Sequence, residues 1–383
     1  MQMTNWDIEK LFSEKTSYDV ILSEGRISGI LYENEPCHGK ATKVFAYLGI
    51  PEKTDTKVPA IICIHGGGGK AFKEWVELWV KRGYAAIAMD LGGMGPDGER
   101  LACGGPEQTH EAKFTVSLGW QNLWTYHAVA AIIRANNILR LDTRIDPGCI
   151  AATGISWGGY LTCIISGIDN RLSCAIPVYG CGFIQDNSAA DWMNIFSKMS
   201  AEEKKFWHDK CDPAAYLGKT QMPVMFVTGT NDFAYPLDSL KKSYSIVKGQ
   251  LTLCVRREMP HGHEHGWAPR EIQVYIDNLF RKTPPLPKIS SMTVKGSHAS
   301  ATFASEMKVS AVYLLYTKDK GTWQTRKWVQ VPAKQENGRI SANLPSDVTV
   351  FYLAMETDDG LWVSSQHEEI DVRGANTSIQ ASL

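Results

Sequence analysis

One serine between two glycines, one acid and a run of histidines are the residues whose types and spacing could do chemistry in this chain. Residues 154–158 read GISWG and place Ser156 where an apolar strand gives way to a helix. A serine hydroxyl attacks an ester carbonyl only when a base takes its proton. The segment MPHGHEHGW supplies His261, His263 and His265, and the loop after VMFVTG supplies Asp232 to orient one of them. Asp238 is the reserve acid, although its position suits the cap of the next helix. Gly154 and Gly158 leave room for a sharp turn, so that Ser156 can be held in a strained conformation facing a cleft. A capping serine at a glycine-rich helix start is the competing reading of the pentapeptide, and it needs none of the other parts.

Acyl transfer also needs donors for the negative charge that develops on the carbonyl oxygen. The N–H of Trp157 is one, and the loop HGGGGK offers another, with Gly67 and Gly68 preferred. That loop is not a phosphate cradle of the G-x-x-x-x-G-K-[ST] kind, because Ala71 follows Lys70. Alternating histidines can converge on a metal, but the H-x-H-x-D-H pattern is missed, since His265 follows Glu264 at once. Neither a metal nor an organic cofactor is expected.

The elements that must position these groups alternate. YDVILSEGRISGILYENE and ATKVFAYLGIPE read as strands, and VPAIICI is a buried strand ended by glycines. AFKEWVELWV carries apolar residues at helical spacing, which makes Trp75 and Trp79 its buried face, and Gly83 follows its end. The strand YAAIAMD leads to an irregular loop from Leu91 to Gln108, then to a long helical stretch from His110. After Ser156 come a helix from Gly159, the strand LSCAIPVYG, a helical insertion between Phe183 and Tyr216, and the strands PVMFVTGTND and LTLCVRREM, each followed by a helix. This rhythm predicts an α/β fold, a mostly parallel sheet flanked by helices, over residues 1–285. RKTPPLPK breaks it. The short alternating runs over residues 286–383 predict a small all-β domain, an immunoglobulin-like sandwich with Trp323, Trp328 and Trp362 in its core.

Taken together, IHGGGG, GISWGGY, GTNDFAYP and GHEHGW resemble the α/β-hydrolase superfamily from about Tyr18 to Phe280. Within it they are similar to the acetyl xylan esterase, dienelactone hydrolase and prolyl-oligopeptidase-like group. The resemblance implies the chain order Ser156, Asp232, His263, with His263 chosen ahead of His265 and His261 because Gly262, His263 and Glu264 match a G-H-E tripeptide. Trp157 stands where the deacetylases of this group carry glutamine. The implied activity is that of a serine carboxylic-ester hydrolase removing acetyl groups from carbohydrate, with His65 and Trp267 at the substrate pocket. A prolyl-oligopeptidase-type peptidase is the enzymatic rival, disfavoured because the segment before IICIHGGGG is too short for a propeller. A catalytically inactive carbohydrate-binding protein is the rival from another class.

A net charge of -1 with no basic block argues against nucleic acid as a partner. Nine scattered cysteines suggest neither a disulfide framework nor a zinc site. The polar, acidic start and the lack of a membrane-length apolar run read as a soluble cytoplasmic chain, secreted or periplasmic if a signal has been removed.

Overall fold

Apolar runs with no polar face can be satisfied only as strands covered on both sides. The computed structural model, which describes residues 6–52 and 56–370, places the ones in the first three quarters of the chain in a single nine-stranded sheet. Its strands are β1 (Tyr18–Glu24), β2 (Ile27–Cys37), β3 (Lys40–Gly49), β4 (Val58–Ile64), β5 (Ala85–Met89), β6 (Ile145–Ile155), β7 (Cys174–Val178), β8 (Val224–Gly229) and β9 (Leu251–Arg256). They lie in the order β1-β2-β3-β5-β4-β6-β7-β8-β9. The ladders from β5 through β4 and on to β9 are parallel, and those among β1, β2, β3 and β5 are antiparallel. Because β4 sits beside β6, the glycine loop after β4 and the turn at Ser156 leave adjacent strand ends, and the loops after β8 and β9 leave the next pair but one. In open sheets of this kind a site forms at the carboxyl ends of the strands.

The helices are α1 (Ile8–Ser13), α2 (Lys73–Lys81), α3 (His110–Phe114), α4 (Trp124–Leu141), α5 (Trp157–Ser166), α6 (Ala190–Lys198), α7 (Ala201–Cys211), α8 (Ala214–Leu217), α9 (Leu237–Ser245), α10 (His263–Trp267) and α11 (Arg270–Arg281). Trp75, Val76, Trp79 and Val80 of α2 are buried, as the three-and-four spacing requires, and Gly83 follows at φ 80°. The long helix expected from His110 is broken. Two 3₁₀ turns separate α3 from α4, around Gly119 at φ 83°, a conformation that a helix cannot contain. The helix expected from Gly159 begins two residues earlier, directly after Ser156. The histidine segment contains the one-turn helix α10.

No regular element lies between Arg281 and Lys288, where the domain boundary is expected. Beyond it stand two five-stranded antiparallel sheets, one containing His298–Ala304 and Arg339–Asn343, the other Val309–Thr317 and Val350–Thr357. Trp323, Trp328 and Trp362 are buried, so they serve packing and are not exposed platforms. This region covers the β9 edge of the large sheet. Val255 donates its N–H to Ser364 Oγ at 3.0 Å, and its carbonyl accepts from Trp362 Nε1 at 2.8 Å. The Trp362 N–H reaches Glu271 of α11 at 2.6 Å, and Glu271 is paired with Arg256. Asn231 donates to the carbonyls of Gln324 at 3.1 Å and Arg326 at 2.7 Å.

Trp362→Ala removes both the indole cover of β9 and a buried hydrogen bond. It is expected to destabilise the protein by about 3 kcal/mol or more. Denaturant unfolding of the variant checks this, and a change below about 1 kcal/mol would contradict the packing described.

Candidate active site

The turn after β6 is tight. Ser156 sits at φ 58° and ψ −117°, a region L-residues avoid and one that costs about 1–3 kcal/mol to hold. Its N–H is fixed to the Val178 carbonyl at 2.9 Å and its own carbonyl takes the Tyr160 N–H at 2.9 Å. A Cβ on Gly158 would overlap the Ile64 carbonyl oxygen, and one on Gly154 would overlap the Gly158 carbonyl. Glycine at both positions is what allows β4, β6 and α5 to meet this closely. The Ser156 side chain makes no N-capping bond, so the capping reading of GISWG fails. Trp157 is the first residue of α5, where N–H groups have no partner within the helix.

Asp232 is buried in the loop after β8. Its Oδ1 accepts the Ala234 and Tyr235 N–H groups at 2.9 and 2.8 Å, and its Oδ2 is 2.7 Å from His261 Nδ1. The expected pairing of Asp232 with His263 is therefore corrected: His261 is the acid's partner. The reason is α10. Gly262 is extended and the helix begins at His263, so the two rings part company. The His261 ring stacks on Tyr179 at 4.6 Å and meets Phe233 at 4.7 Å. Tyr179 directly follows Val178, whose carbonyl accepts the Ser156 N–H. Asp238 lies in the first turn of α9, not at its cap, and binds Asn187 at 2.9 and 3.1 Å.

His263 takes a different partner. Its Nε2 accepts the Gly66 N–H at 2.9 Å, and its ring lies 4.7 Å from Phe72. His65, expected at the substrate pocket, is only 2% exposed and has both ring nitrogens bound. Its Nε2 accepts the Leu91 N–H at 2.9 Å, so the proton is on Nδ1, which donates to the Gly66 carbonyl at 2.8 Å. No atom of it is left for a substrate, and that expectation is corrected. Burial pulls the pKa values of both His65 and His263 down to about 4, which keeps them neutral. Trp267, the other expected pocket residue, packs on Phe72 and Trp75 at 5.3 Å each and is likewise a helix-packing residue. Among the described residues, the N–H groups of Trp157, Gly67 and Gly68 donate to no protein acceptor. Gly68 is at φ 68° with open space about it, while Gly67 lies against the Trp157 ring.

A serine turn after one strand, an acid after the next but one, a histidine after the last and a glycine loop from the neighbouring strand are the layout of one fold. The chain has the α/β-hydrolase fold. Residues 31–207 match the acetyl xylan esterase (AXE1) family. The acetyl esterase Axe7A of Xylanibacter ruminicola is 24% identical over 212 residues, which span 50% of this chain and 46% of that protein. The acetyl xylan esterase 1 of Thermoanaerobacterium sp. JW/SL YS485 superposes with a TM-score of 0.57 at 15% identity, over 72% of this chain and 94% of its own. The acetyl xylan esterase of Paenibacillus sp. R4 gives 0.54 at 17% identity, over 67% and 87%. At these identities the structural likeness is one of fold.

In this fold the helical insertion between Phe183 and Tyr216 packs against the residue that follows Ser156. Trp192 of α6 lies 4.6 Å from Trp157, and Phe114 lies 5.8 Å from it. Two cavities of about 480 and 330 Å³ lie elsewhere, the first beside the β2–β3 hairpin and the second behind α10. Neither is lined by Ser156, Asp232 or His261. No described helix is long and apolar enough to cross a membrane.

Sequence reasoning missed Lys113. Its Nζ lies 4.5 Å over the Trp157 ring and 4.8 Å over the Trp124 ring, and among the described residues no carboxylate pairs with it. The indole faces favour the ammonium, but burial opposes it and pulls the pKa down to about 7. The unfolded chain holds this proton up to a pH of about 10.4, so between about 7 and 10.4 the unfolded state binds more protons and stability rises with pH. Lys113→Met removes this slope. The variant's gain in Tm over the parent should be constant below pH 7 and shrink as pH rises towards 10, and a gain that grows with pH over that range would reverse the sign of the burial effect.

Proposed function

We propose that this chain is a serine carboxylic-ester hydrolase that deacetylates carbohydrate, with Ser156 as nucleophile, His261 as base and Asp232 as the group that orients the base. The observation that carries the reading is the 2.7 Å contact between Asp232 Oδ2 and His261 Nδ1, in a chain that also holds a serine at φ 58° after a strand of the same sheet. An imidazole whose Nδ1–H is given to a buried carboxylate keeps its Nε2 lone pair for a serine proton, and the carboxylate stabilises the imidazolium that forms.

The reaction runs in two halves. Ser156 Oγ bonds to the ester carbon as His261 takes its proton, and the N–H groups of Trp157 and Gly67 hold the oxyanion. The imidazolium then protonates the departing alkoxide, leaving an acyl-serine. Water, deprotonated by the same histidine, attacks that acyl group, and collapse returns the proton to Ser156 and releases the acid. Buried Trp157, Trp192 and Phe114 fill the space beside the nucleophile, which favours a small acyl group such as acetyl. The likeness to acetyl xylan esterases supports acetylated xylan-type carbohydrate as the alcohol side.

Release of p-nitrophenol from acyl esters of increasing length, and of acetate from acetylated xylo-oligosaccharides, tests this. Ser156→Ala and His261→Ala should each lose about 10³-fold or more in kcat while folding normally. Activity should be greatest on acetate and fall with acyl length. A preference for long acyl chains would retain the esterase and remove the deacetylase, whereas an active Ser156→Ala would reject the mechanism and return weight to a binding protein.

A further inference from the structure

Two imidazoles grip one glycine. The Gly66 N–H is held by His263 Nε2 at 2.9 Å, and the Gly66 carbonyl is held by His65 Nδ1 at 2.8 Å and by the Gly69 N–H at 3.1 Å. These belong to successive peptide planes. The Gly66 carbonyl shares its plane with the Gly67 N–H, and in a trans peptide the two point in opposite directions. Fixing the carbonyl on His65 therefore fixes where the Gly67 N–H points, and fixing the Gly66 N–H on His263 stops the plane before it from turning. A run of four glycines has the least intrinsic reason of any sequence to hold one backbone conformation. The chain supplies the stiffness from outside the run.

We propose that His263 is a positioning residue that, together with His65, pre-sets the oxyanion donor Gly67 by clamping Gly66. This deepens the serine-esterase reading given above and rests on it. His263 on this account takes no proton from Ser156. Its Nε2 lone pair is already occupied by a backbone N–H, its ring lies 4.7 Å from Phe72, and the Asp232 carboxylate is taken by His261. A donor aimed beforehand at the place where charge develops stabilises the transition state without any reorganisation when the bond forms, so loss of the clamp falls on kcat and spares ground-state binding.

The test compares four variants on p-nitrophenyl acetate, with the affinity of a trifluoromethyl ketone, which forms a tetrahedral serine adduct, as a second reading. His263→Phe, which cannot accept the Gly66 N–H, should lower kcat about 10- to 100-fold with KM changed by less than about threefold, and weaken the ketone in parallel. His263→Gln places an amide oxygen near the position of Nε2 and should restore kcat to within about fivefold of the parent. His261→Gln keeps the ring's approximate volume but cannot accept a proton, and should lose about 10³-fold or more. If His263→Gln is as inactive as His261→Gln, His263 is the base and the clamp is overturned; a His263→Phe enzyme with the parent's kcat overturns it as well. Should His263→Phe fail to fold, His263→Gln decides alone, by the same fivefold criterion. Activity surviving in Ser156→Ala would instead sink the esterase reading on which the clamp depends.

Discussion

The backbone crossing at Ser156 is the constraint to which everything else in the catalytic half conforms. The first turn of α5 passes so close to the end of β4 that Gly158 has no room for a side chain, and Ser156 is left at a positive φ with its N–H and carbonyl both committed. Strain of this kind survives only where the surroundings over-determine it. Here they are the parallel ladders β4–β6 and β6–β7, which fix the two strand ends between which the turn must fit. The strand order follows from the same need, since β4 has to lie beside β6 for its glycine loop to face the turn.

Hydrogen-bond direction then settles the state of two histidines. A backbone N–H can only donate, so Leu91 and Gly66 force unprotonated Nε2 atoms on His65 and His263, and both rings are neutral as a consequence. His261 instead meets a carboxylate at its Nδ1. Burial adds to the hydrogen bonds in holding His65 and His263 uncharged. The division of labour is electrostatic, and it needs no difference in residue type.

That is also why the sequence reveals the site unevenly. Ser156, Asp232 and the glycine loop can be read in order because each is tied to a local pattern, a strand that ends in glycine or a polar turn. The choice among His261, His263 and His265 cannot be read so, since all three stand within five residues and the start of α10 at His263 decides which of them faces Asp232. The G-H-E likeness points to the wrong member of the pair with the acid for that reason. His65 looks like a pocket residue until the Leu91 N–H arrives from the end of β5, a contact 26 residues away. Lys113 leaves no trace in the sequence, because its two indole neighbours come from α4 and α5. The break at Gly119 was legible in principle, since a glycine in an otherwise helical stretch is the usual mark of an interruption.

The C-terminal sheets touch the catalytic half at particular atoms. Backbone carbonyls of Gln324 and Arg326 hold Asn231, the residue before Asp232, while Trp362 and Ser364 hold Val255 in the strand that leads to His261. Appended modules that merely share a chain can be exchanged like beads. This one cannot be, because any replacement would have to offer two carbonyls to the same asparagine and an indole to the same strand edge, in register, at the same time. Its contact residues are expected to change together with the loops after β8 and β9, and an ancestry traced through the large sheet alone would leave out part of what the candidate site has inherited.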